Sequence, residues 1–347
     1  MVLAAIELND AAIGVARDGA LRIQSPGYAL VEQGTLLVGE DALHQARLKP
    51  RLVSTRFWDR LSNDPVFPAA STTATCADLA RAHLAQLWAR AGQGVDGLLL
   101  VVPSSFQSRQ LGLLLGIAEQ LSLPVRGMVD SALVAFVPPP EADLAVHVDI
   151  HLHRAVVTGV EVNGRAQRVF HESLEGLGLT ELYDVWIKHI AKSFVRTTRF
   201  DPLYRAQSEQ AIYDRLPHWL SVLESHESMG VEMTSTDGSV HAIRLARSQM
   251  VACARELYAQ LAAQIRSLCG ERAFSLQLTH GASRLPGLAA ALPTPAHGPA
   301  LVLPSGAGAL GALRHAVRIT EGGWRNTLTV SLARDDLAGQ AATPSES

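Results

Sequence analysis

Aromatic residues and cysteines are scarce in this 347-residue chain. Aromatics make up only 5% of it, so leucine, alanine and valine must fill the core of a chain that is 48% hydrophobic. The three cysteines, Cys76, Cys253 and Cys269, are scattered and form no C-x-x-C pair, which excludes a disulfide framework and a thiolate zinc site. This usage is typical of a reducing compartment.

Long apolar runs and blocks of like charge are missing as well. No run approaches the roughly 20 residues that span a bilayer, and residues 2–8 are too short for a secretory signal and follow no positive region. The formal net charge is −3, from 30 lysines and arginines against 33 aspartates and glutamates, with no basic block. The sequence therefore predicts a cytoplasmic protein that binds neither membrane nor nucleic acid.

Two acid-tipped hairpins are the main features that the sequence does have. Residues 144–164 predict an apolar strand carrying Asp149, a tight turn, and a second strand that ends at an Asn-Gly turn. The chain opens with the same plan over residues 2–16, where Glu7 lies on the first strand and an Asn-Asp turn follows. A shared plan at the start of each half indicates an internal duplication.

Local patterns predict the other elements. The wholly apolar segment 97–102 is typical of a buried strand, and residues 76–91 have helical periodicity. Ser104 or Ser105 is expected to cap the helix that follows. We predict further helices over residues 40–49, 104–121, 131–136, 180–194, 201–224 (interrupted at Pro217), 248–268 and 308–315. Further strands are predicted over residues 20–23, 35–38, 124–128, 275–278 and 300–303, with a hairpin over 230–246.

The order of these elements and several local sequences resemble the actin-like ATPase superfamily, most of all the ATPase domain of DnaK-type heat-shock chaperones. The resembling segments are SPGYAL at 25–30, LVGEDA at 37–42, VVPSSF at 101–106, VDSALVAF at 129–136, the hairpin and helix start at 230–252, and LTHGASRLP at 278–286. The resemblance implies an α/β fold with two ribonuclease-H-like lobes, each a mixed sheet flanked by helices. Nucleotide would bind in the cleft between the lobes.

The resemblance, together with the proline run Pro138-Pro139-Pro140, divides the chain. The parts are a first lobe at 1–140 with a small insertion at about 25–95, a second lobe at 141–318 with an insertion at about 195–270, and a C-terminal strand or arm with a disordered tail at 319–347. The family's substrate-binding domain has no counterpart here, so independent peptide-holding chaperone activity is not expected.

The first phosphate hairpin departs from the family pattern. The family has D-L-G-T-T, where small residues let backbone N–H groups approach phosphate. This chain has E-L-N-D-A from Glu7. The acid is kept as Glu7, and Asn9 can replace a glycine in left-handed backbone. However, Asp10 places a negative charge where phosphate should lie.

The second phosphate hairpin departs further. The family has D-L-G-G-G-T, and this chain has D-I-H-L-H-R from Asp149. The acid is kept, but the large side chains of His151 and His153 would occupy phosphate volume. The family's essential lysine lies in a K-R-L segment that resembles D-R-L here, so that Asp59 inverts its charge.

The adenine-binding pattern of the family is also largely lost. Its E-x-x-K-R-x-x-S helix corresponds here to Pro217, Leu220, Ser221 and Glu224. In its G-G-S-x-R loop, His280 replaces the first glycine, whereas Gly281 and Arg284 are kept. The acid that the family has near the end of this region falls on Ser305.

We therefore predict a chaperone-ATPase-like pseudo-ATPase that acts as a binding, assembly or regulatory module for an unidentified protein partner. No cofactor and no catalytic residue are expected, although ATP or ADP with Mg²⁺ stays open, as does a homo-oligomer. If nucleotide binds, the cleft positions are Glu7, Asn9, Asp10, Asp149, His151, His153, Gly281 and Arg284.

Two alternatives remain open. One is a weak ATPase whose Mg²⁺ is held by Glu7 and Asp149. The other is a metal-dependent hydrolase, because four acidic or imidazole side chains alternate along one predicted strand and could share a face; they are His147, Asp149, His151 and His153. Arg154 and Arg284 are expected to pair with Asp10, Asp59 or Asp149 and lock the lobes, rather than to hold an anionic ligand.

Overall fold

The structure, a computed structural model, describes residues 1–32, 35–66, 74–138, 144–295, 298–321, 323 and 326–333. The prolines at 139 and 140 and the predicted tail at 339–347 lie outside these residues. The chain is a mixed α/β protein whose sheets are flanked by helices. None of the described helices combines the length and the apolar character that a bilayer crossing demands.

The strands in the described residues are β1 (Leu3–Glu7), β2 (Ile13–Arg17), β3 (Ala20–Ser25), β4 (Ala29–Glu32), β5 (Thr35–Val38), β6 (Val53–Ser54), β7 (Gly97–Val102), β8 (Val125–Asp130), β9 (Leu144–Ile150), β10 (Arg154–Val162), β11 (Arg165–Glu175), β12 (Ser228–Thr234), β13 (Val240–Ala246), β14 (Phe274–Leu278), β15 (Leu301–Val302), β16 (Leu328–Thr329) and β17 (Ser331–Ala333).

The helices there are α1 (Glu40–Leu43), α2 (Cys76–Ala91), α3 (Ser108–Gln120), α4 (Ser131–Ala135), α5 (Leu179–Thr198), α6 (Ala206–Ser225), α7 (Arg247–Cys269), α8 (His280–Ser283), α9 (Leu288–Ala291), α10 (Ala307–Arg314) and α11 (Ala316–Thr320).

Two six-stranded sheets share one plan. The first has the order β16-β8-β7-β1-β2-β3, and the second has the order β15-β14-β9-β10-β11-β17. In the first sheet β1 is antiparallel to β2 and parallel to β7, and in the second β9 is antiparallel to β10 and parallel to β14. The two acid-tipped hairpins therefore take equivalent central positions, as an internal duplication predicts.

The central strands are apolar because both of their faces are covered. Every residue of β7 (GLLLVV) and of β9 (LAVHVDI) is buried, and helices lie on the two sides of each sheet. Covered strands of this kind have continuous apolar sequences rather than alternating ones. This is why the sequence identified both strands correctly.

Helices α4 and α10 pack between the two sheets. The core cluster that contains them also includes Ala5 and Val101 of the first sheet and Val160 of the second. At Gly311 a Cβ atom would lie 1.8 Å from the carbonyl oxygen of Val134, so only glycine allows α10 to approach α4 this closely. Helix α10 belongs by sequence to the predicted second lobe, but it packs on β1 and β2 of the first sheet.

The C-terminal arm connects the same two sheets. Strand β16 pairs in parallel with β8 at the edge of the first sheet, and β17 pairs antiparallel with β11 at the edge of the second. The predicted strand or arm after residue 319 is therefore present in the described residues. It adds an edge strand to each sheet.

Three predicted elements need correction. Helix α6 continues through Pro217, because its buried face, including Leu216 and Trp219, outweighs the hydrogen bond that proline removes. Helix α3 begins at Ser108, where the Gln110 side chain accepts from the Gln107 N–H at 3.1 Å, and the Ser104 hydroxyl is used in another contact described below. Helix α1 ends at Leu43 rather than at residue 49.

Candidate functional site

A cavity of about 370 Å³ lies where the central strands of the two sheets end. The two hairpins form one side of it, and the loop after β14 and the start of α10 form the other. Five of the eight predicted cleft residues line it: Glu7, Asn9, Asp149, Gly281 and Arg284. Most of the cleft residues predicted from the sequence therefore lie around one cavity in the structure.

The remaining three cleft residues lie deeper or point elsewhere. Asp10 and His151 line a much smaller neighbouring cavity of about 20 Å³, together with Asp59 and Arg154. The side chain of His153 is held by two hydroxyls, Thr55 Oγ1 at 2.8 Å from Nε2 and Thr180 Oγ1 at 3.0 Å from Nδ1. His153 is thus a contact between β6, the second hairpin and α5.

The imidazole of His151 lies between two carboxylates, one from each hairpin. Its Nδ1 is 3.3 Å from Asp10 Oδ1, and its Nε2 is 3.2 Å from Asp149 Oδ2. The second contact is an ion pair rather than an aligned hydrogen bond, because the N–H does not point at the oxygen. All three side chains are buried. We call Asn9, Asp10, Asp149 and His151 the hairpin cluster.

Hydrogen bonds fix the rest of the hairpin cluster. The Leu152 N–H donates to Asp10 Oδ1 at 2.8 Å, and Asn9 Nδ2 donates to Asp149 Oδ1 at 2.8 Å. Thr279 Oγ1 donates to the same Asp149 oxygen at 3.0 Å. Each hairpin tip therefore binds the other, and the acid of one hairpin satisfies the backbone of its counterpart.

The charges of the hairpin cluster stabilise each other. Burial alone would lower the pKa of His151, but the charge of Asp149 and the contact with Asp10 raise it to about 10. Burial alone would raise the pKa of Asp149, but His151 and the Thr279 hydroxyl hold it at about 2. At neutral pH the cluster therefore contains an imidazolium between two carboxylates.

Glu7 lies beside this cluster and contacts helix α10. Its Oε2 accepts a hydrogen bond of 3.0 Å from the Ala309 N–H. Burial raises the pKa of Glu7 to about 7, the Ala309 N–H opposes this, and the charge of Asp149 adds to it. The buried carboxyl of Glu7 therefore keeps its proton to higher pH than an exposed glutamate does.

The four residues of the proposed metal cluster do not form one ligand set. Strand β9 ends at Ile150, so His151 and His153 lie in a turn rather than on the face of His147. His147 is buried within the sheet, where burial lowers its pKa and its Nε2 contacts no partner in the described chain. No group of three or more His, Cys, Asp or Glu side chains suited to a metal ion occurs among the described residues.

The expected arginine lock is present at one position only. Arg154 forms an ion pair with the buried carboxylate of Asp59, in which Nε and Nη2 both contact Oδ1, and this pair joins the second hairpin to the segment after β6. Arg284 does not pair with Asp10, Asp59 or Asp149. It donates instead to Ser221 Oγ on α6 and lies 3.5 Å from His280 Nε2. The pairing with Asp10 and Asp149 is made by His151, for which the sequence predicted a cleft position or a metal ligand but no ion pair.

A second polar cluster between the sheets was missed. The carboxylate of Asp130, at the end of β8, accepts hydrogen bonds from Ser104 Oγ at 2.8 and 3.0 Å and from Arg168 on β11 at 2.6 Å. Thr158 Oγ1 on β10 donates to Ser104 Oγ at 2.9 Å. We call Ser104, Asp130, Thr158 and Arg168 the Asp130 cluster. The sequence feature that could have indicated this cluster is a single acidic residue at the end of an apolar strand.

No protein-family model matches the chain, and a search of curated proteins finds no match.

The geometry limits the chemistry of the cleft. A phosphate group at the hairpin tips would meet Asp10 and Asp149, and the one cation between them, His151, is already neutralised. The remaining cavity offers the carboxyl groups of Glu7 and Asp149 on one side and the guanidinium of Arg284 on the other.

Proposed function

We propose that this chain is a pseudo-ATPase of the actin-like, DnaK-type chaperone fold, and that it acts as a binding or assembly module for a protein partner. The observation that carries the proposal is the ion triad of Asp10, His151 and Asp149 at the tips of the two hairpins. It fills with internal charge the position where the family would bind phosphate.

The physical reason is that charged side chains of the protein occupy the position that the phosphate groups of a nucleotide would need. Phosphate binding at hairpin tips needs open backbone N–H groups and a net positive potential. Here the Leu152 N–H is occupied by Asp10, and two carboxylates surround one imidazolium. A triphosphate would have to break these contacts and would leave buried carboxylates unpaired, which is costly.

The fold assignment within the proposal is supported by sheet order. Both six-stranded sheets place an acid-tipped hairpin at the centre, and the cavity lies between the two hairpins. The family resemblance implies this duplicated arrangement around a cleft. Arg284 donates to Ser221 Oγ, so the two segments aligned with the family's adenine-binding region lie next to each other.

One observation favours a second candidate, a weak ATPase that binds Mg-ATP. The 370 Å³ cavity is open, and Glu7, Asp149 and Arg284 all line it. In that case nucleotide would be held mainly on the Arg284 side, and Mg²⁺ would lie near the two carboxyl groups.

Calorimetric titration of the full chain with Mg-ATP and with Mg-ADP tests the proposal. We expect no saturable heat and no increase in the unfolding temperature, because a ligand that binds the native state raises stability by mass action. Saturable micromolar binding would overturn the pseudo-ATPase assignment. Binding that disappears both without Mg²⁺ and in Asp149→Asn, together with release of phosphate from ATP, would establish the weak ATPase instead.

A further inference from the structure

A groove of about 570 Å³ lies between the loop joining α5 to α6, the first half of α6 and the tip of the β12–β13 hairpin. It is lined by three arginines and an apolar floor. We call it the arginine groove and define it by Arg199, Phe200, Tyr204, Arg205, Arg215 and Met233. Its volume is within the range of ligand-binding pockets.

Most of the arginine side chains in the groove form no hydrogen bond or ion pair with other groups among the described residues. Arg215 donates to the Glu232 carbonyl oxygen at 3.0 Å, but Arg199 and Arg205 make no side-chain hydrogen bond and no ion pair with any described residue. Two acids also line the groove, and both are engaged in turns. Asp201 accepts from the Leu203 N–H, and Asp237 accepts from Ser235 and Ser239. The groove lining keeps a net positive charge, because its three arginines outnumber its two aspartates.

Of the two aromatic residues that define the groove, one is highly exposed and the other stacks on a histidine. The Tyr204 side chain is 82% exposed, and the Phe200 ring stacks on His241 with ring centroids 4.4 Å apart. Arg199 ends α5 in left-handed backbone at φ 63°, a conformation that costs energy for a residue with a Cβ. Exposed tyrosine and unpaired arginine are the residue types that dominate protein-binding hot spots.

We propose that the arginine groove binds an acidic peptide segment of a partner protein, with its carboxylates on Arg199 and Arg205 and an apolar side chain on the floor near Met233. Charge complementarity selects the acidic segment. Nucleic acid fits less well, because Asp201 and Asp237 would repel a continuous phosphate backbone, whereas a peptide can place its acids apart from them. The inference rests on the proposed role as a partner-binding module.

The test is fluorescence anisotropy of the full chain with short fluorescein-labelled peptides. The probe alternates glutamate with leucine around a central phenylalanine, and the comparison peptides carry glutamine or lysine in place of every glutamate. We expect the glutamate peptide to bind with a Kd that Arg199→Glu/Arg205→Glu raises about tenfold or more. Equal binding of the glutamate and glutamine peptides, or a Kd unchanged by the double substitution, would overturn the proposal.

A charge-matched control separates the groove from general electrostatics. Arg255→Glu/Arg266→Glu changes the net charge equally at two exposed positions on α7 outside the groove, and it should leave the Kd within about twofold. Circular dichroism and the unfolding midpoint confirm that both double variants are folded.

Two further results show which proposal a negative peptide experiment contradicts. A labelled single-stranded RNA that binds in an Arg199- and Arg205-dependent way, while the glutamate peptide does not, would assign the groove to nucleic acid. The nucleotide titration described above is independent of these residues. A negative peptide result with no nucleotide binding therefore removes the groove inference alone.

Discussion

The hairpin cluster and the Asp130 cluster both join the two sheets through buried polar contacts, but they are built differently. In the hairpin cluster two carboxylates share one imidazolium, and the contacts are ion pairs of 3.2 and 3.3 Å. In the Asp130 cluster one carboxylate forms an ion pair of 2.6 Å with Arg168 and accepts two hydrogen bonds from the backbone of α4, at 3.0 and 3.3 Å.

The difference shows what each cluster depends on. Asp130 also caps α4, so its contacts are tied to the local backbone as well as to the neighbouring sheet. The hairpin cluster depends on the protonation of His151, and it therefore responds to pH. Both connections contain an ion pair, and the one at Asp130 is also anchored to the start of a helix.

The largest expected effect comes from Asp130. Asp130→Ala removes a fully buried carboxylate, leaves Arg168 without its ion partner and uncaps α4. Breaking a buried pair by removing one partner costs roughly 3–5 kcal/mol of unfolding free energy. Urea unfolding at pH 7 measures the loss. A loss below about 1 kcal/mol would show that the Asp130 cluster does not hold the sheets together.

Two variants make the Asp130 result specific. Asp130→Asn keeps an acceptor for Ser104 and should lose less than the alanine variant. Asp41→Asn, at an exposed acid on α1, changes the net charge in the same way and should stay within roughly 0.5 kcal/mol of the wild type.

The second effect concerns the hairpin cluster. His151→Gln keeps a polar side chain but leaves Asp10 and Asp149 facing each other without a cation. We expect a loss of roughly 2–4 kcal/mol in unfolding free energy at pH 6. Because the pKa of His151 is raised to about 10, its stabilisation is complete below its unfolded pKa and is lost as pH rises through about 10.

At low pH the stability of the hairpin cluster depends on the ionisation of Asp149. The pKa of Asp149 is lowered to about 2, so its contribution is present above its unfolded pKa and is lost as pH falls through about 2. The gap between wild type and His151→Gln should therefore be widest between about pH 4 and 6.5. Denaturant unfolding at about pH 5 and at about pH 9 measures the gap inside and above this range. A gap that is constant with pH would mean that His151 acts through packing alone.

Much of the fold could be predicted because the signals were local. The wholly apolar strand 97–102 and the two acid-tipped hairpins were identified from sequence, and helix α2 has the predicted bounds. Strand β11 was missed because its burial pattern is irregular and mostly exposed at the edge of the hairpin. Helix α6 was divided at Pro217 because its tertiary packing cannot be read from the sequence.

The site could be predicted only in part, for a related reason. The sequence located Glu7, Asn9 and Asp149 at the cleft through their hairpin positions. It could not identify the partner of His151, because that depends on how two hairpins about 140 residues apart in the chain approach each other. Asp130 was missed because its partners come from three separate strands or loops.

The smallest expected effect concerns Glu7, which belongs to neither cluster. Glu7 is the third acid at this edge of the sheets, but it makes no ion pair with any described residue and binds only the start of α10. Because burial raises its pKa to about 7, its ionisation costs stability as pH rises from about 4.5 to 7. Glu7→Gln stays neutral and can still accept from the Ala309 N–H.

We therefore expect Glu7→Gln to match the wild type near pH 4.5 and to exceed it by about 1 kcal/mol at pH 8, less than the full linkage value because Glu7 reaches the cavity. Thermal or urea unfolding at the two pH values measures the difference, with Glu256→Gln on the surface of α7 as a control. If Glu7→Gln is instead less stable than wild type at pH 8, the ionised carboxylate has a favourable partner in the cleft. That result would also favour the weak ATPase, because an ionised Glu7 is what a Mg²⁺ site needs.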